Sequence, residues 1–176
     1  MKHIYVLRHA KSQWPEPPID DFDRPLNERG RKNAAALGAW LKAGRLIPQV
    51  IFHSPAARAA ETVRHLTEDW TGDTEIRPAQ ELYLANRSLL LGFTRAVNDR
   101  FRSAMIVGHN PGMAAFASKL AKSGDKEAID RLKGKFPTAA LAIFDNPQNQ
   151  WSKLIFNETR LIEYIRPKDL QLLNNC

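Results

Sequence analysis

Two histidines each follow a short apolar run, a position that can place a reactive side chain at the end of a buried strand. His9 comes directly after "IYVLR" at 4–8, and His109 comes directly after "AMIVG" at 104–108. Short apolar runs predict buried strands, and the carboxyl ends of parallel strands form the rim at which open α/β sheets bind ligands. We therefore expect the two imidazoles to share one site.

Cationic groups accompany both histidines. Arg8 precedes His9, and Arg58 lies one turn into a helix predicted to follow the strand at 50–53. Taken singly, Arg8 would mark a strand end that reaches solvent, Arg58 would be a surface arginine, and His109 would be a core histidine bound to a carbonyl. Because all of them are predicted at the same rim, we interpret them as a pocket for a doubly negative group such as phosphoryl, held by bidentate guanidinium contacts.

The segment "GHNPG" at 108–112 adds to this pocket. Gly108 permits a tight turn, and Pro111 suits the start of a helix. The free N–H groups at that helix start would face a bound anion.

The chain alternates short apolar runs with longer helical patterns. This alternation predicts an α/β fold, a three-layer α/β/α sandwich with a mostly parallel central sheet. The predicted strands cover 3–7, 50–53, 104–108, 139–144 and 161–165. Asn27 is a good N-cap and Gly44 a good terminator, so the first helix is predicted between them. Further helices are predicted from Ser54 as cap and Pro55 toward Trp70, over 88–99 and over 111–122, with a turn of helix within 167–176 after which the final residues fray.

A long loop is predicted at the end of the first strand. The stretch "SQWPEPPIDDFDRP" at 12–25 contains four prolines and follows neither the helical nor the strand period. Long loops in such positions often carry functional residues. Arg24 on this loop is predicted to contact phosphate or substrate, and a salt bridge from Arg24 to Asp21 or Glu28 is the alternative.

Length and charge narrow the class of protein. The 176 residues are expected to form a single domain, 1–176, because this length can bury a sizeable core. The 26 Lys and Arg exceed the 19 Asp and Glu and give a net charge of +7, which favours an anionic ligand. The basic clusters at 29–32 and 131–136 carry almost no aromatic residues and are interpreted as solvated helix faces. No specific nucleic-acid partner is therefore predicted.

The length of the first apolar stretch and the cysteine content bear on location and assembly. The apolar stretch near residue 1 is too short for a signal peptide or a membrane span, and the only cysteine is Cys176, so no internal disulfide is possible. We expect a cytoplasmic protein that does not associate with membranes, with a monomer favoured. The remaining histidines lack metal-ligand spacing, so neither a metal nor another cofactor is predicted.

Several motifs together resemble those of a known family. "RHA" at 8–10, "SPAARAAET" at 54–62 and "VGHNPG" at 107–112 resemble, in order and separation, the motifs of the histidine phosphatase (phosphoglycerate mutase-like) superfamily. "RHAKSQW", "DFDRPLNERG" and "FPTAALAIF" are similar to the SixA-type phosphohistidine phosphatase group. The matching pieces extend from residue 4 to about residue 144.

The resemblance implies a covalent mechanism. His9 would attack phosphorus to form a phosphohistidine, which water then hydrolyses, and Arg8, Arg58 and His109 would hold the equatorial oxygens. His9 must be neutral to attack, whereas His109 would be protonated beside the bound dianion. The predicted substrate contacts are Arg24, Ser12 and Asn110.

The position of the general acid is the main departure from the wider superfamily, in which many members have a Leu-x-Glu pattern. Here Leu82 is followed two residues later by Leu84, and Glu81 is expected to face the opposite side of an extended segment. A placed acid accelerates cleavage of alkyl phosphates by ~10²–10⁴-fold. Without one the leaving group should depart easily, which predicts a phosphohistidine-bearing protein as substrate.

Two other functions stay open. Asp20, Asp21 or Asp23 on the long loop could supply the proton, which would make the protein a broad phosphomonoesterase of small molecules. A non-catalytic module that binds phosphorylated protein or nucleic acid is the other possibility. His9 argues against such a module, because anion binding alone would be served by Arg or Lys.

Overall fold

A seven-stranded mixed sheet forms the centre of the described part of the chain. The computed structural model describes residues 1–174. The strands are β1 (Lys2–Arg8), β2 (Val50–His53), β3 (Glu75–Pro78), β4 (Ser103–Gly108), β5 (Ala121–Ser123), β6 (Leu141–Asn146) and β7 (Thr159–Ile165). Their order is β3-β2-β4-β1-β6-β7-β5. Four of the six pairings are parallel and two are antiparallel, which confirms the mostly parallel sheet.

Helices cover both faces of this sheet. They are α1 (Glu28–Ala43), α2 (Ala57–Thr67), α3 (Arg87–Arg95), α4 (Gly112–Leu120), α5 (Lys126–Gly134) and α6 (Pro167–Asn174). Strand β1 shows why two layers are needed, because Ile4 and Val6 belong to the hydrophobic cluster of α3, α4 and α5, whereas Tyr5 and Leu7 belong to that of α1 and α2. A strand buried on both faces reads as a continuous apolar run. The predicted three-layer α/β/α sandwich is therefore confirmed.

The strand register brings the chemistry-bearing ends together. β1 and β4 are adjacent and parallel, with Arg8 opposite Gly108, so His9 and His109 follow at the same level of the sheet. β2 lies on the other side of β4, with His53 opposite Val107. Three parallel strands thus end side by side, and the segment that leads to Arg58 leaves from the third of them.

Helix α1 begins and ends where the sequence predicts. The Asn27 side chain accepts a hydrogen bond from the Gly30 N–H at 2.8 Å, and Gly44 is the C-cap. Gly30 is required by close packing, because a Cβ there would lie 2.1 Å from the carbonyl oxygen of Lys11. The first turn of α1 is thereby pressed against the backbone that follows His9.

Helix boundaries elsewhere differ from the predictions. α2 begins at Ala57 rather than at Pro55, and its N-cap is Ala56 without a side-chain hydrogen bond, so Ser54 is not a capping residue. The helices predicted over 88–99 and 111–122 end at Arg95 and Leu120. In the second case the chain turns extended at 121 and forms β5.

Three elements were missed because their sequences carry little apolar pattern. β3 is an edge strand in the polar stretch "EIRP", β5 has three residues, and α5 buries only Leu132. Asp125 accepts a hydrogen bond from the Ala128 N–H, so a capping signal for α5 was present in the sequence. The strand predicted from 139 begins at Leu141, because Ala139 has a positive φ of 58°. α6 reaches Asn174, and the predicted fraying of the final residues lies outside the described range.

Among residues 1–174, no helix is both long and apolar enough to cross a bilayer.

Candidate active site

A cavity of about 480 Å³ opens at the carboxyl ends of β1 and β4. The structure brings all seven predicted site residues to its lining: Arg8, His9, Ser12, Arg24, Arg58, His109 and Asn110. Asp21 and Leu84 also line this cavity, whereas Asp20, Asp23 and Glu81 do not. The catalytic roles of these residues stay a prediction, but their convergence is a property of the fold.

His9 is held as a neutral imidazole with a defined tautomer. Its Nδ1 lies 2.7 Å from the carbonyl oxygen of Ala10, an acceptor, so Nδ1 carries the proton and Nε2 keeps its lone pair. His9 is only 6% exposed. Burial lowers the pKa of His9 to about 3 against the opposing effect of the Ala10 hydrogen bond. The positive charges of Arg58 and Arg8 lower it further, as would a proton on His109.

His109 lies beside His9 with the two ring centroids 5.1 Å apart. Its Nε2 is 2.7 Å from the hydroxyl of Ser54, and its buried Nδ1 has no hydrogen-bond partner within the described residues. Burial, followed by the Arg58 charge, lowers the pKa of His109 to about 4. Both rings are therefore neutral near pH 7, and either can gain a proton only when negative charge enters the cavity.

Asp21 joins the long loop to the side chains that line the cavity. Its carboxylate accepts hydrogen bonds from Arg58 Nη2 at 2.9 Å, from Arg24 Nη1 at 3.0 Å and from the Tyr83 hydroxyl at 2.9 Å. Burial opposes ionisation, but the hydrogen bonds from Tyr83 and Arg58 outweigh it and hold the pKa of Asp21 below its usual value. Asp21 is thus ionised near pH 7, which is the opposite of what a general acid requires.

Arg24 makes the salt bridge that the sequence offered as an alternative. It pairs with Asp21, while Glu28 pairs with Lys32 at 2.8 Å instead. Arg24 also donates to the Ser12 hydroxyl and lies over the Trp14 ring, 4.0 Å from its centroid. These contacts tie both ends of the long loop together at the cavity.

Arg8 and Asn110 converge on one carbonyl. The Phe136 oxygen accepts from Arg8 Nη1 at 3.1 Å and from Asn110 Nδ2 at 2.9 Å. The buried Nε atoms of Arg8, Arg24 and Arg58 have no partner within the described residues. Three guanidinium groups against the Asp21 carboxylate leave the cavity with an excess of positive charge, which favours a dianion.

Sequence reasoning missed three residues that support this cluster. Ser54 bonds His109, Thr62 accepts the Ala10 N–H at 2.9 Å, and Tyr83 bonds Asp21 and packs edge-on against His109. Ser54 and Thr62 both lie within "SPAARAAET", so their place in the motif was the available signal. Tyr83 had no such signal.

Two features of the cavity lining concern metal binding and the position expected for a general acid. Within the described residues, no group of three or more His, Cys, Asp or Glu side chains could hold a metal ion. Leu84 lines the cavity, is 58% exposed and has a φ of 52°, whereas Glu81 is exposed and lies outside the lining. Leu84 thus presents an alkyl group in a cavity otherwise rich in charge.

Comparisons with known proteins agree with this geometry. Residues 4–83 match the model of the histidine phosphatase superfamily (branch 1). An uncharacterized protein of Mycobacterium leprae is 31% identical over 167 residues, which cover 92% of this chain and all of that protein. The chain belongs to the histidine phosphatase superfamily. It is accordingly a phosphatase, and its fold is that of the phosphoglycerate mutase-like proteins.

Solved structures place this histidine phosphatase in the SixA-type group. The "putative phosphohistidine phosphatase SixA from Agrobacterium tumefaciens" is 30% identical, with a TM-score of 0.79 over 94% of this chain and 98% of that chain. The protein histidine phosphatase SixA complexed with tungstate is 19% identical, with a TM-score of 0.75 over 96% and 99% of the two chains, and shows the shared fold.

Proposed function

We propose that this histidine phosphatase hydrolyses phosphohistidine in a phosphorylated protein, with His9 as the nucleophile. The observation that carries the proposal is the state of His9. Its imidazole is neutral, its Nδ1 proton is bound by the Ala10 carbonyl, and the guanidinium groups of Arg8 and Arg58 line the same cavity. A nucleophile with a free lone pair beside fixed positive charge suits attack on a phosphoryl group.

In the first step, Nε2 of His9 attacks phosphorus. A P–N bond forms to Nε2 while the bond from phosphorus to the leaving group breaks, and the leaving group keeps the electron pair. The phosphorylated ring becomes cationic, and the Ala10 carbonyl stabilises it by accepting the Nδ1–H. Arg8, Arg58 and His109 offset the charge on the phosphoryl oxygens.

In the second step, water attacks the phosphohistidine. The new P–O bond forms as the P–N bond to His9 breaks, the electron pair returns to Nε2, and both protons of the water leave with the product as dihydrogen phosphate. His9 is again the neutral Nδ1–H tautomer. His109 donates to a phosphoryl oxygen once the dianion has raised its pKa from the low value it has in the free protein.

The cavity lining supports a phosphoramidate substrate. The carboxylate in the lining, Asp21, is held ionised by its hydrogen bonds, and Leu84 has no proton to give. An alkoxide leaves poorly without a proton. An imidazole whose distal nitrogen is protonated departs as a neutral molecule, so this site can cleave phosphohistidine without a placed acid.

A paired assay tests the proposal. Turnover of a phosphohistidine protein, p-nitrophenyl phosphate and phosphoserine is measured side by side in excess chelator. We expect phosphohistidine and the aryl phosphate to be cleaved far faster than phosphoserine, and His9→Ala to lose on the order of 10⁴-fold or more on all of them. Comparable wild-type turnover of phosphoserine and phosphohistidine would favour the broad phosphomonoesterase instead.

A further inference from the structure

A second cavity adjoins the active site. Its volume is about 210 Å³, and Thr138 lines both cavities. The other walls are formed mainly by cationic side chains and two prolines: Arg29, Lys135, Arg166, Lys168, Pro137 and Pro167. We call this cavity the basic groove.

Most of the charge in the basic groove is uncompensated. Arg166 is paired with Asp169, which accepts from its Nε and Nη2, each at 2.9 Å. Arg29, Lys135 and Lys168 are exposed, and none of them has a carboxylate within 4.0 Å in the described part of the chain. The groove therefore carries three positive charges that are available to a ligand.

Hydrogen bonds tie one wall of the groove to the active site. The segment that carries Lys135 and Thr138 includes the Phe136 carbonyl, which Arg8 and Asn110 both bind. The N–H of Ala139 donates to the His9 carbonyl at 3.1 Å. A ligand held by this wall would thus lie in a fixed relation to His9.

The opposite wall is fixed by helix packing. Arg29 lies in the first turn of α1, next to Gly30, whose missing Cβ allows contact with the Lys11 carbonyl. Lys11 itself lines the active-site cavity. Both walls are therefore extensions of the backbone that positions the catalytic cluster.

We propose that the basic groove binds the side-chain carboxylates of an acidic segment that flanks the phosphohistidine in the protein substrate. The proposal rests on the proposed function, because it assigns a docking element to the same substrate. Carboxylates are complementary to Arg29, Lys135 and Lys168, and Pro137 and Pro167 offer apolar contact to a polypeptide. Complementary charge of this kind selects partners and orients them.

Two observations favour a polypeptide over other anions. The groove lining contains no aromatic side chain, which a single-stranded nucleic acid would need for base stacking. The active-site rim exposes Trp14 and Leu84, which are 61% and 58% accessible. Aromatic residues are enriched in protein–protein interfaces, so Trp14 suits contact with a polypeptide at this rim.

The test removes the groove charges and compares two phosphopeptides. The wild type and a triple variant are assayed on two phosphohistidine peptides, one with glutamates beside the phosphorylated residue and one with glutamines instead. The triple variant carries Arg29→Gln, Lys135→Gln and Lys168→Gln. The matched control, Lys122→Gln, Lys126→Gln, Lys153→Gln, removes three charges from exposed residues outside the groove. Turnover of p-nitrophenyl phosphate, which has no peptide to occupy the groove, reports on the chemical steps alone.

We expect the groove variant to raise KM for the acidic peptide by about tenfold at low ionic strength, the size expected of three exposed ion pairs. The kcat of the groove variant, its KM for the glutamine peptide and its turnover of the aryl phosphate should change less than about twofold. The kinetic constants of the control variant should change equally little. An equal KM of the wild type for the two peptides overturns the groove assignment and leaves the proposed function intact. So does a loss of aryl phosphate turnover in the groove variant as large as its loss on the acidic peptide. Aryl phosphate turnover without activity on either peptide refutes the proposed function and the groove role with it.

Nucleic acid is distinguished by competition. An unphosphorylated acidic peptide should inhibit turnover of the acidic phosphopeptide by the wild type more strongly than a single-stranded oligonucleotide of equal charge. The reverse order would overturn the assignment to a polypeptide.

Discussion

The Asp21 carboxylate lies 2.9 Å from Nη2 of Arg58, although 37 residues separate the two in sequence. This pair places a negative charge beside a guanidinium group that we propose binds the phosphoryl oxygens. Tyr83 and Arg24 hold the same carboxylate. Asp21 therefore links the long loop to the side chains that line the cavity, and its negative charge opposes the binding of an anion beside Arg58.

Asp21→Asn distinguishes an electrostatic effect of Asp21 on anion binding from a role of Asp21 as general acid. Removing a partly exposed charge from the cavity should tighten inhibition by inorganic phosphate about three- to tenfold, because Coulomb repulsion at short range is strong even when screened. The rate on phosphohistidine should change less than about tenfold, since an ionised carboxylate donates no proton. Phosphate inhibition constants and kcat provide the readouts.

Tyr83→Phe is the matched control for this prediction. It removes one hydrogen bond to Asp21 and keeps the charge, so phosphate inhibition should stay near the wild-type value. A loss of two or more orders of magnitude on phosphohistidine in Asp21→Asn, with an altered basic limb of the pH profile, would instead make Asp21 the general acid.

Gly30→Ala tests the packing that positions the loop after His9. A Cβ at this position would lie 2.1 Å from the Lys11 carbonyl oxygen, so α1 or the loop must move. We expect a loss of about 1–3 kcal/mol in the free energy of unfolding, as for other overpacked sites, with a parallel fall in kcat. Urea unfolding and aryl phosphate kinetics measure both.

Gly92→Ala supplies the contrast. Gly92 lies inside α3, and a Cβ there meets nothing within 4 Å. This variant should gain about 0.5–1 kcal/mol of stability because alanine favours the helix, and its activity should not change. If both variants behave alike, contact between Gly30 and Lys11 is not what requires glycine.

The strand ends were predictable because β1 and β4 are buried on both faces and therefore read as uninterrupted apolar runs. The position of His9 and His109 followed from that pattern. The first helix followed equally directly from the Asn27 cap and the Gly44 terminator. Local sequence signals were sufficient to predict an element when its burial pattern or its capping residue lay within that element or directly beside it.

The salt bridge between Asp21 and Arg24 was among the alternatives that the sequence offered, but the contacts of Asp21 with Arg58 and Tyr83 could not be predicted in this way. Its partners Arg58 and Tyr83 lie 37 and 62 residues away, on α2 and after a 3₁₀ turn. The sequence placed Asp21 among three candidate loop acids, and only the fold shows that its ionised form is stabilised. β3 was missed for a related reason, because an edge strand exposed to solvent can be polar.

Acid should destabilise the protein through its buried histidines. The folded-state pKa values of His9 and His109 are about 3 and about 4, below the ordinary value of 6.5, so the unfolded chain binds more protons between these limits. Their contribution to stability is complete above about pH 6.5 and is lost as the pH falls toward the folded-state values. We expect the free energy of unfolding to fall by about 2–4 kcal/mol between pH 7 and pH 5.

Urea unfolding of the variants at pH 7, 6 and 5 checks this assignment. His109→Gln removes one titrating ring and should reduce the pH dependence by about half. His65→Gln is the control, because His65 is a half-buried histidine of α2 outside the cavity. An unchanged slope in His109→Gln would show that other groups cause the acid sensitivity.

Leu84→Glu tests whether the missing acid sets the choice of leaving group. Leu84 lines the cavity, so a carboxylic acid there can approach the leaving atom. We expect kcat/KM for phosphoserine to rise about tenfold or more, within the range of general acid catalysis, while the value for phosphohistidine changes little. The gain should disappear as the pH rises and the new carboxyl ionises. Leu84→Gln keeps the size of the glutamate without the acid and should show no gain. If it gains equally, a polar contact rather than proton donation is the cause, and the leaving-group explanation fails.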